Sequence, residues 1–317
     1  MLIVVFLLMR QIMDKEKSGK VYLIGAGPGD PKLLTLKAAE AIAQSDVVIY
    51  DYLVNPEILA MARYGVELIY VGKQAGQTSI LQEEINQILI KHAYAGQIVA
   101  RLKGGDPFIF GRGGEEAEAL VEAGIEWEVI PGISSGIAAT AYAGIPLTHR
   151  YYASSVAFIT GHDAKKSRKK VDWFAIAKTV DTLVVFMCAE TISRIASKII
   201  LGGSSPQTPI AIIRWGTYEY QEVYLGTLQD IANSKIKIQQ PAIAVIGDVV
   251  LLKNKLHWFG SHDLNYSLES LIDYTTEILP FYQPSNTILQ EELSFASNPV
   301  QNDLYLDKSF VFNNHWL

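Results

Sequence analysis

The chain repeats one pattern: a short run rich in β-branched residues, a loop, then a helix-length amphipathic stretch. That alternation brings successive strands back in the same direction through helical crossovers, and so restricts the fold to α/β with mostly parallel strands. VYLIG (21–25), DVVIYD (46–51), ELIYV (67–71), QIVAR (97–101) and EWEVI (126–130) are the strand candidates of a first series. Stretches near 32–44, 79–94, 113–123 and 133–143 carry the helical period between them. IPLTHR at 145–150 contains Pro146 and no apolar period, and reads as a linker. A second series has strands near 155–160, 182–187, 209–214, 220–225 and 242–247, with helices near 172–178, 190–201 and 227–234. The runs 209–214 and 220–225 stand too close for a helical crossover, which predicts a mixed sheet in the second half.

The expected organisation is therefore an N-terminal extension (1–19), an α/β domain with glycine-rich loops (20–145), a second α/β domain with a mixed sheet (146–260) and an acidic tail (261–317). The opening run MLIVVFLLM is too short for a spanning helix, which needs about 20 apolar residues. It has no positive charge before it and no small-residue cleavage site after it, so it reads as an extension rather than a signal or membrane segment. Residues 261–317 carry a net charge of −7, and Pro280 and Pro284 break any long helix there. The rest of the chain is nearly neutral, so the whole-chain −6 excludes no anionic ligand from it, while arguing against nucleic acid as a partner. Cys188, the single cysteine, can form neither an internal disulfide nor a thiolate metal site, which suits a reducing compartment. No His/Cys/Asp cluster has metal-ligand spacing, and no metal is expected.

Three loops concentrate the chemistry. Gly25-Ala26-Gly27-Pro28-Gly29-Asp30 follows the first strand directly. It approaches a dinucleotide fingerprint, with Asp51 at the end of the next strand, but Asp30 stands where the third glycine belongs. Pro28 also removes an N–H that would cradle a pyrophosphate. Lys103-Gly104-Gly105-Asp106-Pro107 follows the fourth strand, and Pro131-Gly132-Ile133-Ser134-Ser135-Gly136 the fifth. Any one could be turn chemistry. Three at the carboxyl ends of parallel strands point to a nucleoside-type ligand across that edge.

The series GAGPGD, YDYLV at 50–54, GK at 72–73, RLKGGDPFIFGRGGEE at 101–116, VIPGISS at 129–135, GIPLTHR at 144–150 and TGH at 160–162 resembles the tetrapyrrole methylases, over about Lys20 to Phe259. Within that family it is most similar to the members that methylate uroporphyrinogen III. The resemblance implies two α/β domains, S-adenosylmethionine in the cleft between them, S-adenosylhomocysteine as product, and a cytoplasmic homodimer with no membrane or nucleic-acid partner. It implies two successive methylations, at carbons 2 and 7, giving precorrin-2 for sirohaem, cobalamin or both. Pro28, Gly104, Gly105, Asp106, Ile109, Ser134, Ser135, Met187, Gly216 and Ala242 fall at cofactor positions. Family members often carry Thr-Ala where this chain has Ser134-Ser135, so backbone contacts are expected there. Asp51 matches the proton acceptor and Lys73 the donor. As residues alone, Asp51 has a helix-capping or strand-end carboxylate as its alternative, and Lys73 a solvated loop lysine.

An octacarboxylate substrate calls for a cationic site. Arg101, Lys103, Arg112, His149 and Arg150 lie in or beside the matched motifs and are the candidates, each also compatible with a surface ion pair. The basic run Lys165-Lys166-Ser167-Arg168-Lys169-Lys170 reads as a solvated loop, with a lid over an anionic substrate as the alternative. His162 reads as structural. Two rival functions remain: a sister methylase acting on a later precorrin, and a non-enzymatic adenosyl-ligand sensor. Nothing before Lys20 resembles the dehydrogenase–ferrochelatase module fused to some relatives, so a single activity is expected.

Overall fold

In the computed structural model, residues 19–72, 80–162, 170–234, 238–260 and the backbone of 265–267 are described. The first series forms a five-stranded sheet from β1 (Lys20–Gly25), β2 (Val47–Tyr50), β3 (Glu67–Tyr70), β4 (Val99–Lys103) and β5 (Glu126–Ile130), in the order β3-β2-β4-β1-β5. Every pairing in it is parallel. Helices α1 (Leu36–Gln44), α2 (Pro56–Leu59), α3 (Gln82–Tyr94), α4 (Gly113–Glu122) and α5 (Ser135–Tyr142) interleave with or follow these strands.

Strand alternation divides the apolar side chains between the faces. Leu23, Ile49 and Val99 pack with Leu89 of α3 and Leu120 of α4 on one side. Ile24, Val48, Ala100 and Leu102 pack with Ile42 of α1 and Ile58 of α2 on the other. Helix starts are fixed by side-chain acceptors: Thr35 Oγ1 accepts from Ala38 N (3.2 Å), and Asn55 Oδ1 from Glu57 N (3.0 Å). Such caps satisfy first-turn N–H groups that have no partner within the helix.

The second series forms a six-stranded mixed sheet, order β11-β9-β8-β10-β7-β6. It contains β6 (Val156–Thr160), β7 (Thr182–Phe186), β8 (Pro209–Arg214), β9 (Glu222–Thr227), β10 (Ala242–Ile246) and β11 (Asn265–Ser267). β8 and β9 form the expected antiparallel hairpin, and β10 runs antiparallel to both β7 and β8. Helices α6 (Trp173–Thr179), α7 (Ile192–Leu201) and α8 (Leu228–Asn233) accompany it, and α9 (Lys253–Leu256) follows β10. Trp173, Ile192, Ile195, Ile199, Leu228 and Ile231 of the first three cover one face of the sheet. α8 opens with reciprocal bonds between Thr227 and Asp230.

Several boundaries differ from the sequence reading, among them β9, which runs Glu222–Thr227 rather than 220–225. The fourth strand is displaced toward its carboxyl end, to 99–103, because Val99 rather than Gln97 is the first residue in register with β1 and β2. The stretch read as one helix over 32–44 splits into a 3₁₀ turn at Pro31–Leu33 and α1, since Thr35 caps a new start. β11 lies in the segment read as tail; it pairs parallel with β9, which has β8 on its other side.

Candidate active site

The carboxyl ends of β1, β4 and β5 bring the three loops into contact. Gly27 and Gly105 exchange backbone hydrogen bonds (3.2 and 2.7 Å), and Ala26 N donates to Lys103 O (2.8 Å). Two glycines are required by proximity: a Cβ on Gly25 would stand 2.4 Å from Gly132 N, and one on Gly132 would stand 2.4 Å from Gly105 O. The Asp106 carboxylate ties the loops further, accepting from Phe108 N at Oδ1 (2.8 Å) and from Gly132 N at Oδ2 (3.1 Å). Asp106 thus serves as an internal brace. Ser134 is buried and caps α5 through Gly136 N (3.4 Å), while Ser135 opens that helix half-buried.

Residues from the second sheet meet this edge. Phe186, closing β7, lies 5.0 Å from the Phe110 ring and 5.6 Å from that of Phe158. The hairpin turn after β8 reaches the first loop: Asp30 N donates to Thr217 Oγ1 (2.9 Å), and Tyr142 OH donates to Asp30 Oδ2 (3.0 Å). Gly216 packs so closely on Ala139 of α5 that a Cβ would stand 2.2 Å from the alanine methyl. Met187, just after β7, is half-exposed, and Ile109 is exposed on the β4 loop. Pro28 is half-buried, and Ala242 begins β10 opposite Arg214.

Phe110, Arg112, Met187, Trp215 and Thr217 are the described non-glycine residues with positive φ, from 47° to 73°. All five follow β4, β7 or β8. Each costs backbone energy, about 1–3 kcal/mol, that the surroundings must impose, and such strain gathers at ligand sites.

Asp51 follows β2 with its side chain about a quarter exposed; its Oδ1 accepts from Leu53 N (3.3 Å) and its Oδ2 lies 3.6 Å from Arg101 Nη2. Lys73 lies outside the described residues, as do Lys165 to Lys169.

The five cationic candidates separate. Arg101 and Lys103 are buried within the sheet, both bonded to Glu116 Oε1 of α4 (Nε 3.2 Å, Nζ 2.9 Å). Gln82 Nε2 adds a third bond at 3.2 Å, while Glu116 Oε2 is buried with no hydrogen bond. Burial, then the neighbouring Arg101, pushes the Lys103 ammonium below its usual range. Removing one member of such a cluster leaves a buried charge uncompensated, at about 3–5 kcal/mol. Arg112 is exposed and paired with Glu115 (2.6 Å), which raises its pKa further. His149 closes a tight turn, its Nδ1 accepting from Tyr151 N (3.2 Å) and its ring 5.0 Å from Tyr152. Arg150 in the same turn is exposed.

Sequence reasoning missed Glu116, Phe110, Phe186, Tyr142 and Thr217. Only Glu116 left a signal, since it shares its helix face with Ala117 and Leu120 rather than with the exposed Glu115.

An all-parallel sheet and a mixed sheet whose loops meet at glycine-rich strand ends define an α/β protein of the kind that binds ligands at the carboxyl edge of a parallel sheet. The chain belongs to the tetrapyrrole (corrin/porphyrin) methylases, whose family model matches residues 20–232. It is 51% identical over 245 residues to the uroporphyrinogen-III C-methyltransferase of Bacillus subtilis strain 168, covering 77% of this chain and 95% of that protein. It is 52% identical to siroheme synthase 2 of Aeromonas hydrophila, over 78% of this chain but only 52% of that relative, and so spans about half its length. The crystal structure of uroporphyrin-III C-methyltransferase from Thermus thermophilus, complexed with S-adenosylhomocysteine, superimposes with a TM-score of 0.65 at 39% identity, covering 74% of this chain and all of that one.

Proposed function

We propose that the protein is an S-adenosylmethionine-dependent C-methyltransferase that converts uroporphyrinogen III to precorrin-2 by successive methylations at carbons 2 and 7. The observation that carries this is 51% identity over 245 residues, covering 95% of the Bacillus subtilis enzyme. The residues at the cleft suit the cofactor. Exposed Ile109 and Met187 offer apolar surface for a nucleoside, and the close-packed backbone around Gly104, Gly105 and Ser135 offers peptide groups to polar ends. We assign Pro28, Gly104, Gly105, Ile109, Ser134, Ser135, Met187, Gly216 and Ala242 to its binding, and to Asp106 the bracing of the loops that do so.

S-adenosylmethionine, when bound, supplies an electrophilic methyl group to an electron-rich pyrrole carbon. The protein's part is to orient the substrate, exclude water and manage protons. Asp51 takes the proton released after methylation and Lys73 returns one. Substrate carboxylates fall to Arg112, His149 and Arg150; Arg112 can exchange its exposed partner Glu115 for a substrate carboxylate. Arg101 and Lys103 are held by Glu116 and shape the field beneath the site. Division into domains at 20–145 and 146–260, a homodimeric state and a cytoplasmic setting complete the proposal; among the described residues no helix is long and apolar enough to cross a membrane.

Incubation with uroporphyrinogen III and labelled S-adenosylmethionine should transfer two methyl groups per tetrapyrrole and release two S-adenosylhomocysteines. Methylation of a later precorrin but not of uroporphyrinogen III would reassign the protein to a sister activity. Gly105→Arg should abolish calorimetric binding of S-adenosylhomocysteine yet fold. A Cβ there meets nothing closer than 3.7 Å, and the left-handed φ of 70° adds about 1 kcal/mol of strain.

A further inference from the structure

β4 is the central strand of the first sheet, with β1 and β2 on either side and helices on both faces. A strand so placed is expected to be apolar throughout. Its carboxyl-terminal half instead carries Arg101 and Lys103, two residues apart and so on one face, where α4 presents Glu116. Arg101 is 3% exposed and Glu116 fully buried. An apolar trio would fill the same space without the desolvation of three charges, and without leaving Glu116 Oε2 buried and unbonded. Stability alone does not explain the cluster.

Geometry does. The guanidinium is fixed at two other points, Nε on Glu116 Oε1 (3.2 Å) and Nη1 on Leu102 O (2.9 Å). The remaining nitrogen, Nη2, is left pointing past the end of β2 to Asp51 Oδ2 at 3.6 Å. Asp51 is thus addressed by a cation with little freedom to move, at the edge where the three loops meet. We propose that Arg101, held by Glu116, is the positioning residue for Asp51: it fixes the direction in which that carboxylate meets the proton it accepts. The assignment rests on the reading of Asp51 as proton acceptor.

Kinetics of the variants give the test. Arg101→Met should lower kcat by about 10²-fold through misplacement of the base, with KM and S-adenosylhomocysteine affinity within about threefold. A residue that merely supports the fold would lower stability and leave kcat per folded molecule unchanged, and that result would overturn the proposal. In an Asp51→Asn background the same substitution should cost almost nothing more, whereas an additive loss would show that Arg101 acts elsewhere. Should Arg101→Met fail to fold, Arg101→Lys takes its place: it should lose kcat with KM unchanged. Full activity of Asp51→Asn alone would instead defeat the reading of Asp51, a different failure from additive losses.

Discussion

Two central strands, β4 in the first sheet and β10 in the second, occupy equivalent places, each paired on both sides and covered on both faces. β10 reads Ala-Ile-Ala-Val-Ile and sends every described side chain into apolar surroundings. β4 reads Val-Ala-Arg-Leu-Lys, apolar at its start and charged where it reaches the loops. Parallel order accounts for part of the contrast, because it puts the carboxyl ends of β1, β4 and β5 on one edge, where polar groups can converge. Antiparallel order in the second sheet divides its strand ends between two edges. It meets that edge instead through the β8–β9 turn and Phe186.

The largest effect expected outside the catalytic residues is Ile212→Ala. Ile212 lies in β8 beside β10, fully buried, and its loss should cost about 3–4 kcal/mol in urea unfolding, through lost burial and the cavity left behind. Turnover per folded molecule should stay near wild type. A cost below about 1 kcal/mol would break the view of the second sheet as a purely apolar support.

Thr217→Val tests how the sheets join. It keeps the shape of the side chain but removes the acceptor for Asp30 N, at about 1 kcal/mol. Because Asp30 adjoins the Pro28 loop, S-adenosylhomocysteine should bind several-fold more weakly by calorimetry. Unchanged affinity with reduced stability would make the contact structural only.

The smallest effect lies at the far edge of the first sheet, where Glu128 of β5 bonds Lys20 Nζ (2.9 Å) and pairs with Lys37. Those ammonium groups hold its carboxyl below the usual range. A depressed carboxylate contributes stability that is complete above its unfolded value of 4.5 and is lost as pH falls through the folded value. The cluster is solvent-facing, so Glu128→Gln should change stability by under about 0.5 kcal/mol at pH 7 and less still at pH 3. A larger change would mean that charge matters at this edge as it does at β4.

Much of this was legible in the chain. Strand and helix periods marked both series, since alternation and amphipathic spacing are local consequences of burial. The closeness of 209–214 and 220–225 revealed the hairpin. Gly25 and Gly132 marked the loops because only glycine permits such approach of backbone to backbone, and Gly27 and Gly105 because they take positive φ.

Other features arise only in three dimensions. Arg101 and Lys103, read as candidates for substrate carboxylates, are spent on a glutamate 13 to 15 positions away, because α4 folds back over β4. Asp106 turns inward to brace Gly132, and Thr217 meets Asp30 across 187 residues. Local pattern decides which elements form and which residue types their loops can hold, since it acts through propensity and period. Which charge meets which partner depends on long-range packing, and that is where the tertiary structure separates a buried cation facing Asp51 from an exposed one paired with a surface glutamate.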